Sequence, residues 1–516
     1  MDPSDTEPAM RRRVLPLEQL TGLELAEAHL FRVGDSELLL NVETLLTYEV
    51  DEKTSQALRA LRSGNGGAVG ELVARYGRAA VEEVLGALRE GQFLVPRGEK
   101  PHSDLPETVD ERTTITNVNF NVNHACNLAC RYCYGAEGNH PARTEGPARL
   151  LRMNEDVARR SIAWALRETE GAADEFYFGC FGGEPLTNFE LIKKVQTWLD
   201  EAGARFGRKL KLSFFTNGVL LKDEVLDFIV EHDISVIVSI DGPAEVHDRN
   251  RPHADGRGSY AEVARNVQEL LKRRPAPPTA RGTYARWNML DGFRYVDIVE
   301  HLLGLGFGNV WIDSISEPGG AGAFTTEDIP RLRALYEETA ERILRWAEQG
   351  RRFDFSNVTR YVAPTRLVED KKVAWGCGAG RGFACLTPDG GLYVCHRFTG
   401  MDDWRLGDVF GGVSKRLTRE IIAGQNVRVM NGCRSCWMRY FCGGGCMKIH
   451  LEGTGDPFSA AEDVYCAARR MEVEMGLYVN SRLKGMSEQA QRTLYGEQLM
   501  SRLSAADKQR DPCRWF

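Results

Sequence analysis

The sequence contains three cysteines at a spacing that can hold an iron–sulfur cluster. They are Cys126, Cys130 and Cys133, within the stretch CNLACRYC. Three thiolates fill three of the four iron positions of a [4Fe–4S] cluster and leave one iron open to a ligand that is not protein. An open metal position indicates chemistry, as it does at catalytic zinc sites. The triplet therefore predicts a reactive cluster.

Polar and glycine-rich motifs follow three later segments that have strand character. They are FGGEP, TNG and SIDGP, the last followed by HDRNR. Two adjacent glycines let the backbone approach a ligand closely, and an arginine can clamp a carboxylate at two points. Each motif alone is also typical of an ordinary turn or cap. The candidate binding residues from these motifs are Gly182, Gly183, Glu184, Thr216, Asn217, Ser239 and Arg251.

A second group of cysteines lies between residues 377 and 466. Eight thiolates are the number that two fully ligated [4Fe–4S] clusters require. One isolated C-x-x-C, such as Cys433–Cys436, would favour zinc, and a secreted disulfide framework is a further alternative. Disulfide frameworks usually belong to small secreted domains, so the clustering favours iron–sulfur sites. The eight residues are Cys377, Cys385, Cys395, Cys433, Cys436, Cys442, Cys446 and Cys466.

The triplet and the motifs after it resemble the signature of the radical S-adenosylmethionine (SAM) enzymes. The resemblance implies that the open iron chelates the amino and carboxylate groups of SAM, with Tyr132 near the adenine. It assigns Gly182, Gly183 and Glu184 to the methionine amino group, and the Thr216-Asn217-Gly218 motif to the ribose and carboxylate. Ser239 and Arg251 are further candidate SAM contacts. The reaction implied is cleavage of SAM to a 5′-deoxyadenosyl radical, which removes hydrogen from a substrate.

The later cysteines, with the run PDGGLYVC, are similar to the SPASM extension of radical SAM enzymes. The family's connectivity implies two auxiliary [4Fe–4S] clusters, and thus three clusters in all. Cys377, Cys385, Cys395 and Cys446 would hold the first auxiliary cluster. Cys433, Cys436, Cys442 and Cys466 would hold the second.

The resemblance implies a maturase that modifies a ribosomal precursor peptide carrying a leader. The stretch CHRFTGMDDWRLGDVF looks like enzymes that form thioether crosslinks, among them quinohemoprotein amine dehydrogenase maturases. Carbon–carbon crosslinking and epimerisation remain alternatives. So does formylglycine formation in a sulfatase, although that subfamily has an aspartate where this chain has His396. Histidine can accept protons, so His396 is a candidate catalytic residue. A binding module with electron-transfer clusters is the non-enzyme alternative.

Strand-like and helix-like segments alternate from Thr113 to about Ser316. Six such units predict an α/β fold with a parallel sheet, and the resemblance implies a partial (β/α)6 barrel. Sites in such sheets lie at the carboxyl ends of the strands, where the triplet falls. The predicted strands are Thr116–Asn123, Phe176–Phe181, Leu210–Thr216, Ile234–Ile240, Ala280–Arg286 and Asn309–Ser314. Helices are expected at Asn188–Ala202, Tyr260–Arg273, 327–350 and 467–506.

The N-terminal part predicts a small winged-helix-like module. Two strands, His29–Val33 and Leu38–Val42, precede helices at Ser55–Arg62, Ala68–Tyr76 and Ala80–Glu90. This order resembles the leader-peptide recognition modules of peptide-modifying enzymes. A leader would then add as a strand to an exposed sheet edge. A structural cap without a ligand is the alternative.

We predict five parts in the chain: this module over 1–105, the barrel over 106–320 and a helical bridge over 321–370. The auxiliary-cluster domain spans 371–470, and a helix and tail span 471–516.

The net charge of -7 gives no reason to expect nucleic acid. No apolar run is long enough to span a membrane, and no secretory signal is evident, so we expect a cytoplasmic protein. Flavodoxin or ferredoxin is the expected electron donor. Cys180 and Cys513 stand outside both cysteine groups.

Overall fold

The computed structural model describes most of the chain, in ten segments. They are residues 14–64, 66–101, 107–108, 114–133, 151–315, 319–320, 322–351, 354–362, 372–461 and 463–502. Parallel strands dominate the large sheet, which confirms the predicted α/β class. Cys513 lies outside the described residues.

The N-terminal module contains a three-stranded sheet followed by three helices. The third strand was not predicted, because three residues are too short to show a period of two. The strands are β1 (Leu23–Leu25), β2 (Ala28–Val33), β3 (Ser36–Asn41), β4 (Thr47–Glu49) and β5 (Leu94–Pro96); β2, β3 and β4 form the sheet, and β1 pairs with β5. The helices are α1 (Glu52–Ser63), α2 (Gly66–Tyr76) and α3 (Arg78–Glu90).

The barrel part consists of six neighbouring parallel strands, each close to a predicted one. Its strands follow β6 (Glu107–Thr108) in the chain and are β7 (Asn117–Asn123), β8 (Glu175–Gly182), β9 (Lys209–Thr216), β10 (Ser235–Ser239), β11 (Thr279–Tyr284) and β12 (Asn309–Ser314). Its helices are α4 (Glu155–Glu168), α5 (Phe189–Phe206), α6 (Asp223–Glu231), α7 (Ala244–Asn250), α8 (Tyr260–Arg273), α9 (Arg286–Leu290) and α10 (Tyr295–Gly304).

One strand end differs from the prediction. Arg286 begins α9 instead of ending β11, because the Ala285 N–H bonds to the Asn288 side chain at 3.0 Å and starts a helical turn.

Strand β7 separates an apolar face from a polar one. Val118, Phe120 and Val122 are fully buried in the main hydrophobic core. Asn119, Asn121 and Asn123 alternate with them and are also almost inaccessible to solvent. The strict alternation in the sequence therefore marks a strand with one face in the core and one amide face towards the inside of the curled sheet.

The large sheet continues past β7 into the second cysteine region, giving ten strands in all. Here β14 runs parallel to β7, with Cys385 opposite Asn119, and the following strands are antiparallel. The sheet therefore contains strands from both sides of the predicted helical bridge, residues 321–370. The strands are β13 (Lys372–Val373, paired with β6 outside this sheet), β14 (Phe383–Leu386), β15 (Gly391–Tyr393), β16 (Arg405–Asp408) and β17 (Gly412–Val413).

Among the described residues seven further helices follow β12, and two of the later cysteines, Cys442 and Cys466, lie in them. They are α11 (Ile329–Glu348), α12 (Ser356–Thr359), α13 (Lys415–Gly424), α14 (Arg439–Cys442), α15 (Met447–Thr454), α16 (Val464–Lys484) and α17 (Glu488–Arg502). The predicted continuous helix over 467–506 is thus two helices, separated at residues 485–487. None of the described helices is long and apolar enough to cross a membrane.

Helix α16 is buried on almost every side, with fifteen of its 21 residues inaccessible. At Gly476, an added Cβ would lie 2.4 Å from the Cβ of Tyr361 and 3.0 Å from the Val358 carbonyl oxygen. The lack of a side chain at Gly476 therefore lets α16 pack closely against α12 and the residues just after it.

We predict that Gly476→Ala lowers stability by about 1–3 kcal/mol, because the extra methyl forces apart two packed backbones. The urea midpoint followed by circular dichroism measures this. Gly70→Ala is the control, since Gly70 lies in α2 with nothing within 4 Å of an added Cβ. A midpoint for Gly476→Ala equal to that of the control would contradict the packing argument.

Candidate functional site

The triplet loop lies directly after β7 and is held by backbone contacts to another loop. The Ala129 N–H donates to the Pro252 carbonyl at 2.8 Å, and the Arg131 N–H to the Asn250 carbonyl at 3.0 Å. These bonds tie the loop of β7 to the segment after α7. The loop is therefore positioned by two strands that stand three places apart in the sheet.

The three thiols of the triplet lie close enough to affect one another's ionisation. Burial, followed by smaller contributions from Cys133 and other neighbours, raises the pKa of Cys126 to about 11. Burial also raises the pKa of Cys130 to about 12, although the nearby Arg251 opposes this. Thiolates in this place need compensating positive charge, which bound iron supplies.

The arrangement fits a cluster better than a single metal ion. In the part of the chain that the structure describes, no three Cys, His, Asp or Glu side chains converge on one metal position. Such convergence is not needed for a [4Fe–4S] cluster, since each cysteine binds a different iron. All twelve described cysteines are free thiols.

Asp241 connects the triplet loop to α7 and to the ends of β10 and β11, and the sequence analysis did not select it. Its carboxylate accepts hydrogen bonds from the Tyr132 hydroxyl, from Asn250 Nδ2 at 3.0 Å and from the Thr283 N–H at 2.8 Å. Arg251 forms an ion pair with it at 3.0 Å. The only signal in the sequence was an acidic residue within SIDGP, at the end of a strand.

Tyr132 and Arg251 are positioned by Asp241 and also contact each other. The guanidinium of Arg251 lies 5.3 Å from the centre of the Tyr132 ring. Burial holds the pKa of the Tyr132 phenol well above its ordinary value, so the hydroxyl donates its proton to Asp241. The two candidate SAM contacts therefore form one rigid unit.

Glu184 connects the GGEP motif with the TNG motif. One of its carboxylate oxygens accepts from Thr216 Oγ1 at 2.8 Å, and the other accepts from the Asn217 N–H at 2.7 Å. Asn217 Nδ2 in turn lies 3.7 Å from Cys126 Sγ. Glu184 thus orients the asparagine that lies against the triplet.

The two glycines before Glu184 are required by chain packing. An added Cβ at Gly182, whose φ is +138°, would lie 2.1 Å from the Asn123 carbonyl oxygen. One at Gly183 would lie 2.2 Å from the Ala125 carbonyl oxygen. The GGEP backbone therefore presses against the residues that lead into the triplet.

A cavity of about 550 Å³ opens beside the triplet and reaches the second cysteine group. Cys130 and Cys133 line it together with Cys446, so both groups face the same space. Tyr132, Arg251 and His396 also line it, whereas Ser239, Glu184, Thr216 and Asn217 do not contribute to its wall.

Side chains of β11 and β12 line the wall of the cavity with charge. Asp313 pairs with Arg281 and lies 3.8 Å from Arg469, and Trp311 Nε1 donates to it at 3.0 Å. Although burial raises it, the two arginines hold the pKa of Asp313 below its ordinary value. Glu472 belongs to the same network through Arg469 at 2.7 Å.

Tyr284, Arg286 and Cys180 have ordinary structural surroundings in the fold. Tyr284 is buried in the core, and its hydroxyl donates to the Phe293 carbonyl. Arg286 pairs with Asp328 at 2.6 Å. Cys180 packs in the core of β8, as expected of a buried thiol.

His396 lies within the cavity wall against the amide face of β7. Its Nδ1 is 2.7 Å from Asn119 Nδ2, and its ring centre is 5.0 Å from that of Phe181. Burial, then the charges of Arg397 and Arg281, lowers the pKa of His396 to about 3. The imidazole is therefore neutral near pH 7 and a weak proton acceptor, and its catalytic role remains a prediction.

The structure brings the eight later cysteines together in the two predicted groups. Burial, then the neighbouring thiols of Cys377, Cys446 and Cys385, raises the pKa of Cys395. Thr399 Oγ1 contacts Cys385 Sγ at 3.7 Å. The members of the first group thus meet at β14 and the turn after β15.

The second group lines a smaller cavity of its own. Burial, then Cys442, Cys466 and Cys436, raises the pKa of Cys433 to about 12. All four of these thiols contribute to the wall of that cavity. Their roles as iron ligands remain predictions, but their sulfur chemistry and crowding fit such a cluster.

Comparison with known proteins supports this description of the site. Residues 120–302 match the family model described as the Radical SAM superfamily. A serine-type anaerobic sulfatase-maturating enzyme of Klebsiella aerogenes is 24% identical over 405 residues, which cover 72% of this chain and 86% of that protein. The chain therefore carries a radical SAM domain.

Two solved structures share the fold. One is anSMEcpe with bound AdoMet, with a TM-score of 0.59, 20% identity, and coverage of 73% of this chain and 97% of that one. The other is Streptococcus suis SuiB bound to precursor peptide SuiA, with a TM-score of 0.50, 14% identity, and coverage of 86% and 99%. The protein is an enzyme of the radical SAM class, which implies a [4Fe–4S] cluster and SAM.

The buried carboxyl of Glu184 makes stability depend on pH. Burial raises the pKa of Glu184 from 4.5 to about 7, despite its hydrogen bonds to Asn217 and Leu186. The folded state therefore holds a proton that the unfolded state releases between these pH values, so stability falls as pH rises from 4.5 to 7.

We predict that this carboxyl makes the protein about 3 kcal/mol less stable at pH 7.5 than at pH 4.5, other groups being equal. Glu184→Gln cannot ionise and removes that contribution. Urea unfolding of both proteins across this pH range gives the difference in their stability profiles. Parallel profiles would show that Glu184 titrates normally.

Proposed function

We propose that this protein is a radical SAM peptide maturase that removes hydrogen from a residue of a ribosomal precursor peptide and forms a crosslink, with a thioether favoured. The observation that carries the proposal is the shared cavity, which Cys130 and Cys133 of the triplet line together with Cys446. A substrate residue there would lie between a cluster with an open iron and a second cysteine group. The SuiB structure, solved with a precursor peptide, supports a peptide as the substrate.

The residues present fit the cofactors of this reaction. The triplet would hold the SAM-binding cluster, with Tyr132, Arg251, Asn217, Glu184, Ser239, Gly182, Gly183 and Thr216 placing SAM directly or through their neighbours. When bound, these groups would supply a 5′-deoxyadenosyl radical. The two later cysteine groups would hold auxiliary [4Fe–4S] clusters, giving three in total, and flavodoxin or ferredoxin would supply the electron.

The chain's own residues would shape the substrate space. Asp241 fixes the side of the cavity that carries Tyr132 and Arg251, and the Arg281–Asp313–Arg469 network fixes another. Because each charge is paired, the wall keeps one arrangement during a reaction that must exclude stray hydrogen donors.

Formylglycine formation in a sulfatase is the second candidate. The similarity to sulfatase-maturating enzymes over 72% of this chain favours it. The histidine at position 396 weighs against it, because this buried imidazole has a lowered pKa and accepts a proton poorly. Peptide crosslinking therefore remains the preferred function.

The assay combines the reconstituted enzyme with SAM, a reductant and the peptide encoded by a short reading frame beside its gene. We predict that the enzyme releases 5′-deoxyadenosine and that the mass of the peptide falls by about two hydrogens. Replacing Cys126, Cys130 and Cys133 with alanine should abolish SAM cleavage and reduce iron from about twelve to about eight per chain. Mass spectrometry and iron analysis measure both.

The controls separate the candidate functions. A sulfatase-derived peptide should remain unchanged if crosslinking is correct, and its conversion to formylglycine would establish the second candidate. The absence of any deoxyadenosine with either peptide would contradict the radical mechanism itself.

The two edges of the N-terminal sheet differ in the contacts that their main-chain groups make. On the β2 edge, Arg62 donates to the Ala28 carbonyl at 2.6 Å and Arg333 donates to the Arg32 carbonyl at 2.7 Å. Both carbonyls face away from β3, so the protein itself already occupies that edge.

The β4 edge is the candidate docking place for the leader. The Val50 N–H donates to the Glu37 carbonyl at 2.9 Å, and bonded positions alternate along an antiparallel pair. The peptide groups of Thr47 and Glu49 therefore point away from β3. No described strand pairs with β4 on that side. An extended leader can add there through its main chain.

We predict that Thr47→Pro weakens binding of the leader half of that peptide about five- to tenfold, because proline removes one outward N–H donor. Fluorescence anisotropy of labelled leader measures the dissociation constant. Ala28→Pro, at the first position of the blocked β2 edge, is the matched control and should bind normally. Equal loss in both variants would point to module unfolding, and no loss in either would exclude the β4 edge.

A further inference from the structure

A buried arginine joins the N-terminal module to the loop that carries Cys433, Cys436 and Cys442. The side chain of Arg439 is only 6% exposed. It donates to both carboxylate oxygens of Glu27, each at 2.6 Å, and to Glu43 at 2.9 Å. Two carboxylates from one unit thus hold a cation from another.

The same arginine also fixes the turn of its own loop. Its backbone N–H donates to the Cys436 carbonyl at 3.1 Å, and its Nη1 donates to that carbonyl at 3.2 Å. Arg439 begins α14, which ends at Cys442. The side chain therefore ties the position of Cys436 and the start of the helix to the carboxylates of the module.

A second contact runs beside the first. The indole of Trp437 stacks on the His29 ring with a centroid distance of 3.9 Å and an angle of 3°. His29 Nε2 lies 2.8 Å from Glu474, which also pairs with Arg333 at 2.6 Å. The module thus contacts the side chains of both Trp437 and Arg439, which lie between Cys436 and Cys442.

The charges make this contact costly to remove. A buried guanidinium needs paired acceptors, and bidentate bonds to carboxylate are among the strongest in proteins. Although burial lowers it, the Glu27 carboxylate holds the pKa of Arg439 above its ordinary value, so the group is a cation at every physiological pH. Without Glu27 and Glu43, Arg439 would have to leave this position to reach water.

We propose that the N-terminal module is a positioning part of the second cysteine site: Glu27 and Glu43 hold Arg439, and Arg439 fixes the turn between Cys436 and Cys442. The inference rests on the proposed auxiliary cluster for its consequence, which is retention of iron. The structural part of the inference is that these contacts order the loop between Cys436 and Cys442, and this part does not depend on bound iron.

The first test measures the loop in the protein without iron. Hydrogen–deuterium exchange is followed in Glu27→Gln/Glu43→Gln, in Arg439→Lys and in the unaltered chain. We expect the amides of residues 433–442 to exchange about tenfold faster in the double variant. The increase should be smaller for Arg439→Lys, because lysine keeps the positive charge but cannot make the bidentate bonds of the guanidinium. Helix α8 should exchange as before. Glu18→Gln, which alters an exposed pair of the same module, is the matched control.

The second test measures iron in a background with alanine at Cys126, Cys130 and Cys133. This parent should hold about eight irons per chain, and the added double variant about four, with one electron paramagnetic resonance signal lost. Unchanged exchange in residues 433–442 would overturn the inference. Faster exchange with all eight irons retained would overturn the link to the cysteine site. A parent without iron would instead overturn the proposed auxiliary clusters, and exchange would still decide the positioning role.

Discussion

The pairing of β7 with β14 determines the arrangement of the whole site. Strand β7 ends in the triplet loop and lies between β8 on one side and β14 on the other. Because Cys385 lies opposite Asn119 in this register, the hairpin that follows places His396 against Asn119. A shift of one residue would turn every side chain of β14 to the other face. The common cavity therefore depends on this one register.

The register alone does not hold the cavity open. Its wall carries several buried or half-buried charges, and each requires an opposite charge or a hydrogen bond at a fixed distance. Asp241 forms an ion pair with Arg251 on one side of the cavity. Asp313 forms ion pairs with Arg281 and Arg469 on another side. Such networks often add little net stability, but a partner that leaves its place is strongly penalised. The charges thus specify the shape of the space more than they stabilise the fold.

The sequence was most informative where a pattern is local. The succession of strand-like and helix-like segments predicted all six barrel strands, and the helix over Tyr260–Arg273 was predicted at its observed bounds. The later cysteines lie among one another's neighbours, and their assignment to two clusters stays a prediction. Strand β4 escaped prediction because three residues cannot show a period.

Other features depend on partners far away in the chain. The importance of Asp241 arises from Tyr132, which lies 109 residues before it, and from Thr283. The second parallel partner of β7, which is β14, begins at Phe383, across the predicted bridge. Arg439 contacts Glu27 over a separation of 412 residues. No local periodicity reports such contacts, because they are set by how the elements pack and not by neighbouring residues.

These long-range contacts also bear on how the cysteines become ligands. The thiols are buried, so ionising them without iron is unfavourable, as the raised pKa values of Cys126, Cys130 and Cys433 show. Cluster binding must therefore displace protons, and the gain from iron offsets the cost of the buried charge. Cys446, which precedes a helix, lines the same cavity as Cys130 and Cys133, which follow β7 of the large sheet. The substrate space is thus a property of the assembled sheet, and no single cysteine motif can form it alone.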